Sequence, residues 1–204
     1  MSSNPSQKSP KRASAVIDEG PILKPASLVS EQILEYMLAT ITTYAVAQCK
    51  HVENDTVQSE MVCAKLENMG YAVGYRWTER LGQHITWNAT TAASDPASAV
   101  AAQQLEAVKF LAKDVWSEIF RKPIDKLQTN HRGVFVLKDM QMRWVQRFPA
   151  DSEDARVAAI QLVAFPCGLI RGVLANLGIP AVVSCDFLND GQYMAACSFH
   201  IKVK

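Results

Sequence analysis

The stretch SEDARVAAIQLVAFPCGLIRGVLANLGIPAVVSCDFL, Ser152 to Leu188, changes character after Gly178, and that change decides the fold. Its first part reads as a long helix from about Ser152 to Asn176. Pro149 stands just before it, Glu153 and Asp154 suit the positive end of the helix dipole, and Gly178 stops it. Ala181 to Leu188 then reads as a strand, paired with Ala195 to Val203 across Asn189-Asp190-Gly191-Gln192, which is turn chemistry. Upstream, Val134 to Leu137 and Met142 to Phe148 flank Lys138 to Gln141 and predict a second hairpin, the later strand alternating sides.

Working outward, three helices precede this half. Leu34, Met37, Leu38, Ile41, Tyr44 and Ala45 recur every three or four residues on a helix running to about Lys50, with Ser27 or Ser30 available as cap. After Glu53-Asn54-Asp55, the residues Val62, Leu66, Met69, Val73, Trp77 and Leu81 hold the same period. Gly70 and Gly74 interrupt them. A glycine costs a helix about 1 kcal/mol relative to alanine, so the pair means either a break near Met69-Gly70 or a close packing contact, and a continuous helix, with room for a bend, is the favoured reading. Gly82 to Ser98 is small and polar, a surface loop. A third helix carries Val100 to Phe120 with apolar residues on more than one face, and Pro123 opens a short helical turn through Asn130. Residues 1–26, rich in Ser, Pro, Lys and Arg, read as a disordered tail ahead of one domain over 27–204. The order predicts an α+β domain: four main helices packed on one side of a twisted four-stranded antiparallel sheet.

Composition narrows function. The 204 residues carry 21 Lys+Arg against 20 Asp+Glu, which leaves little basic excess for nucleic acid or an anionic membrane. Val157 to Ile179 is apolar but broken by Gln161, Pro166, Arg171 and Asn176, so a buried helix is expected rather than membrane insertion. The five cysteines contain no CxxC pair, and the N-terminus has no apolar stretch, so a cytosolic chain is expected.

Chemistry is sparse. Cys49-Lys50-His51 is the one tight pair of metal-ligand types, and His84, His131 and His200 are scattered, so no metal or other cofactor is expected. There is no GxSxG elbow and no phosphate loop. Cys167 sits among Leu162, Val163, Phe165, Leu169 and Ile170, where apolar surroundings raise a thiol's pKa. Gly168 and Gly172, one helical turn apart, suit close helix packing. A non-enzyme is expected, the alternative being a small lipid- or acyl-binding protein with a cleft near Cys167. The apolar excess of the first three helices over what one sheet face can cover points to a partner protein.

Three blocks carry a family resemblance. Lys65-Leu66-Glu67-Asn68-Met69-Gly70-Tyr71-Ala72-Val73-Gly74, followed by Glu79-Arg80-Leu81, resembles the second-helix motif of the small subunits of TRAPP, the transport protein particle. Phe110 to Trp116 with Ile124 to Leu137, and Cys167 to Ile179, are similar to the sixth-subunit branch of that family. The resemblance spans most of residues 30 to 204. It implies helices on one side of an antiparallel sheet and a scaffold role in a vesicle-tethering complex. It further implies pairing with a third-subunit-type partner through the first two helices, or self-pairing when that partner is absent. Rab GTPase nucleotide exchange in ER-to-Golgi and Golgi traffic would belong to the assembly. The implied location is cytoplasmic, peripheral at cis-Golgi and ER-Golgi membranes. Third-subunit relatives carry an acylated cysteine after the second helix, whereas Gly82 to Ser98 contains none, so no acyl chain is expected. The expected partner face is Leu34, Met37, Leu38, Ile41, Tyr44, Met69, Val73 and Trp77.

Overall fold

The computed structural model describes residues 31–82, 96–130, 132–146, 148–149, 151–188 and 195–204. The N-terminal tail, the caps at Ser27 or Ser30, most of the 82–98 loop and the Asn189 to Gln192 turn lie outside these residues. Helix α1 spans Glu31–Cys49 and α2 spans Asp55–Gly82 without a break. The Asn54 side chain caps α2 by accepting the Val57 N–H at 3.1 Å. Gly82 belongs to α2, and the third helix already begins at Pro96, so both ends of the expected 82–98 loop are helical. That third helix is α3 (Pro96–Phe110), a five-residue π-helical turn (Leu111–Val115) and α4 (Trp116–Phe120) in sequence.

Strands β1 (Lys126–Thr129) and β2 (Val134–Asp139) form the first hairpin, so two expectations are corrected here. The expected helical turn after Pro123 is a strand, because Asn130 turns the chain. Its side-chain oxygen accepts the N–H groups of Arg132 at 2.9 Å and Val134 at 3.1 Å. The expected strand over Met142 to Phe148 is instead a coil of tight turns, in which Val145 N–H and Gln146 N–H both donate to the Met142 carbonyl. Met142 and Val145 are both buried three residues apart, a one-turn spacing that a strand would put on opposite faces. The Trp144 ring meets Phe120 at 4.5 Å and Phe165 at 6.1 Å, holding this segment in an aromatic cluster rather than at a sheet edge.

Helix α5 (Glu153–Asn176) follows, capped by Ser152, whose hydroxyl accepts the Ala155 N–H at 3.3 Å. Gly178, at φ 77°, ends it in the left-handed conformation. Strands β3 (Ala181–Leu188) and β4 (Ala196–Val203) complete an antiparallel sheet of order β1-β2-β4-β3. Register sets Phe135 opposite Ile201, and Leu137 and Cys185 on either side of Phe199, so one face of the sheet is apolar and meets the helices. Helix α5 is long and apolar enough to cross a membrane by length and composition, but most of its apolar window is buried inside this domain.

The α2–α5 contact is unusually close. Gly70 and Gly74 rest on the backbone carbonyls of Phe165 and Leu169, while Gly168 and Gly172 rest on those of Glu67 and Tyr71. A methyl group at any of the four would overlap a carbonyl oxygen. The buried stripe of α2 therefore runs Val62, Leu66, Gly70, Gly74, Thr78. Arg171 closes the seam outside, 2.6 Å from the Glu67 carboxylate and over the Tyr71 ring.

Among the described residues one charged group lies wholly inside. Asp139 at the end of β2 accepts the Trp116 indole N–H at 3.0 Å and the Gln141 N–H at 3.0 Å, and pairs with Lys122. Lys122 also reaches Asp125 at 3.0 Å, and Asp125 accepts the Met140 N–H at 2.7 Å. Burial opposes the Lys122 charge, but the hydrogen bonds to Asp139 and Asp125 outweigh it and raise the ammonium's pKa. Burial likewise opposes the Asp125 charge, and the Met140 N–H and Lys122 outweigh it and lower the carboxyl's pKa. The network locks α4 to the sheet.

Candidate partner interface

Helix α1 is apolar on two sides. Leu38, Ala45 and Cys49 are buried in the core, with Leu34, Ile41 and Val46 packed partly against it. On the other side Ile33, Tyr36, Met37 and Tyr44 stand 58%, 74%, 50% and 57% exposed. Thr40 and Thr43 do not make that side polar, because each hydroxyl bonds to its own helix, at the carbonyls of Tyr36 and Ala39.

The eight residues expected to meet a partner divide accordingly. Met37, Tyr44 and Val73 are exposed, while Leu34, Ile41, Met69 and Trp77 are half-buried. Leu38 is buried inside this chain, so the expected stripe straddles core and surface. On α2 the core passes through the glycines, which turns Met69, Val73 and Trp77 away from α5. Arg80 lies over the Trp77 ring at 5.1 Å, and the indole N–H has no acceptor among the described residues. Periodicity missed Ile33 and Tyr36, although the spacing 33, 36, 37, 40, 44 marks a second face of α1. It also missed Val157 and Ile160, exposed near the start of α5.

Between α1, the 142–148 turns and α5 runs a groove of about 530 Å³. Leu38, Val46, Trp144, Phe148 and Leu162 give it an apolar wall, with Glu35, Lys50 and Arg143 at charged positions. Cys167 does not line it. That thiol is buried, and Cys185 of β3 is hydrogen-bonded to Cys167 and Cys197, which with burial pushes the Cys185 thiol up. Burial, then the neighbouring Cys167 and Glu67, raises Cys63 as well. Raised pKa values keep Cys185 and Cys63 protonated and poorly nucleophilic.

One cluster looks like a hydrolase site and is not arranged as one. The Ser198 hydroxyl and the Asp186 carboxylate both approach the same His200 nitrogen, Nε2, at 3.3 Å. A proton relay needs its serine and carboxylate on opposite ring nitrogens. Among the described residues no group of three or more His, Cys, Asp and Glu is placed to hold a metal ion.

Known proteins agree with the fold and identify the family. The model of the transport protein particle (TRAPP) component family matches residues 34–204. Trafficking protein particle complex subunit 6B of Homo sapiens is 34% identical over 155 residues, which is 76% of this chain and 87% of that protein. Subunit 6b of Danio rerio is 29% identical over 87% of this chain and 99% of its own length. Among solved structures, subunit 3 from Naegleria fowleri, covalently bound to palmitic acid, superposes with a TM-score of 0.56 over 86% of this chain and 97% of that one. At 15% identity that likeness speaks to the fold. The helix-on-sheet architecture and the match from Leu34 to Lys204 together establish that this chain belongs to the TRAPP component family, in its sixth-subunit branch.

Proposed function

We propose that this chain is a non-catalytic scaffold subunit of a TRAPP vesicle-tethering complex, pairing with a third-subunit-type partner through the outer faces of α1 and α2. The observation that carries the reading is the exposed apolar side of α1, Ile33, Tyr36, Met37 and Tyr44, on a chain whose core is already closed by Leu38 and Ala45. Large aromatic and methionine side chains in such a patch are the residue types that anchor protein interfaces. Val73 and Trp77 continue it along α2. In this reading the complex promotes nucleotide exchange on a Rab GTPase in ER-to-Golgi and Golgi traffic, with the chain cytoplasmic and peripheral at those membranes.

Co-purification tests it. Met37→Asp with Tyr44→Asp is expected to abolish capture of a third-subunit-type partner while circular dichroism stays that of the folded chain. Full retention of the partner by that variant would overturn the interface. Acceleration of nucleotide release by the purified chain alone would overturn the scaffold role.

A further inference from the structure

Strand β3 is an edge of the sheet, since the order β1-β2-β4-β3 gives it one neighbour. Lys204 N–H donates to the Pro180 carbonyl at 2.9 Å, which fixes the phase of the ladder. The even-numbered residues of β3 therefore turn their N–H and C=O groups toward β4, and those of Ala181, Val183, Cys185 and Phe187 point off the edge. No described residue bonds to them. We propose that this edge accepts an extended segment of another protein as a fifth strand. The segment runs antiparallel to β3, like every other pair in this sheet, with apolar side chains opposite those four residues and a basic one opposite Asp186.

The sequence of β3 supports this. Sheets blunt a free edge with a short strand, Lys, Pro or a bulge. The opposite edge, β1, is four residues long and begins with Lys126. Strand β3 has eight residues in unbroken register with β4, no Lys or Pro, and Asp186 as its one charge. Val183, Cys185 and Phe187 are only half-buried on the helix side, so apolar side chains from an added strand would complete their burial. Helix α5 extends that apolar lane. Ile160 lies two turns before Cys167 on the same side of the helix, and Cys167 meets Cys185. Two turns and three strand residues both span about 10 Å, so Ile160, 50% exposed, stands level with Leu188. On the outer face the Asp186 side chain is 74% exposed and meets His200 at 3.3 Å from the β4 side, which leaves its other side toward the incoming strand. A lysine or arginine there is the complementary charge. None of these residues lines the groove along α1.

Fluorescence anisotropy of the full chain with a labelled heptapeptide, Val-Lys-Val-Thr-Val-Thr-Val, tests the assignment. Its valines fall opposite Phe187, Cys185, Val183 and Ala181, and its lysine opposite Asp186. Saturable binding is expected. N-methylation of the third and fifth residues, whose N–H groups face β3, should weaken it about tenfold or more, whereas N-methylation of the second and fourth, which face away, should preserve most of it. Val183→Pro removes an N–H that bonds to nothing in the fold, so circular dichroism and capture of a third-subunit-type partner should be unchanged while the peptide is lost. Asp186→Lys should reverse the preference, favouring the peptide with glutamate in place of lysine. Absence of saturable binding, equal loss from both N-methylation patterns, or a folded Val183→Pro chain that binds like the wild type would overturn the proposal. Should Val183→Pro unfold, the two N-methylated peptides decide alone. A concentration-dependent dimer that Val183→Pro abolishes would assign the edge to a second copy of the chain and overturn the heterologous partner.

Discussion

Gly168 of α5 lies against the backbone carbonyl of Glu67 in α2, so tightly that a single added methyl would overlap the oxygen. The reciprocal contact, Gly70 on the Phe165 carbonyl, makes the two longest helices share one seam in which backbone packs on backbone.

Gly168→Ala and Gly70→Ala should each destabilise the fold by about 1–3 kcal/mol, despite alanine's better helix propensity of about 1 kcal/mol, because the neighbouring atoms are backbone and cannot swing aside. Gly82→Ala, whose methyl would meet nothing within 4 Å, should be neutral or slightly stabilising. Urea unfolding of the three variants checks the contrast.

Asp139→Ala should cost about 3–5 kcal/mol, since it strands the Trp116 indole N–H and leaves Lys122 half-buried without its nearest carboxylate. Trp116→Phe should cost less through the hydrogen bond than through the lost contact with Phe199 at 5.3 Å. Combining the two changes should cost less than their sum, a coupling that a double-mutant cycle reads directly.

The same network predicts the pH profile. The Asp125 pKa is lowered in the fold, so its contribution is present above the ordinary aspartate value and is lost as pH falls through the lowered one. The Lys122 pKa is raised, so its contribution is full below the ordinary lysine value and disappears as pH rises through the raised one. Thermal unfolding should therefore show a plateau at neutral pH with an acid and an alkaline limb. Asp125→Asn should flatten the acid limb.

Thiol labelling at neutral pH should be slow at Cys63, Cys167 and Cys185, and become fast only when urea unfolds the chain. Burial and mutual hydrogen bonding keep Cys185 protonated, and Cys167 is shielded by the same packing. Mass spectrometry after timed alkylation reads each site. Rapid selective modification of Cys167 in the folded chain would contradict this packing and revive an acyl-carrying role.

Leu38→Asp and Tyr36→Asp should part company. The first puts a charge in the core and should unfold the domain, whereas the second, on a side chain 74% exposed, should leave it folded and weaken partner binding about 30-fold or more. Circular dichroism and a binding titration on both variants separate core from interface.

The sequence by itself determined the long elements: α1, α2 and α5, both later strands, and the α+β class, because each carries a periodic run longer than chance alternation. It also located Gly168 and Gly172 as packing positions, while at Gly70 and Gly74 it left a helix break open, and the carbonyls of Phe165 and Leu169 decide for packing. Short segments were decided by tertiary contacts. Lys126–Thr129 became a strand because Asn130 turns it onto β2, and Met142 to Phe148 coiled because Trp144 enters an aromatic cluster built by Phe120 and Phe165. The partner face was half legible for the same reason. Periodicity ranks positions by hydrophobicity around a helix, but Leu38 and Tyr36 differ only in which side of α1 meets α2 and α5, and that is fixed by the packing of the whole domain.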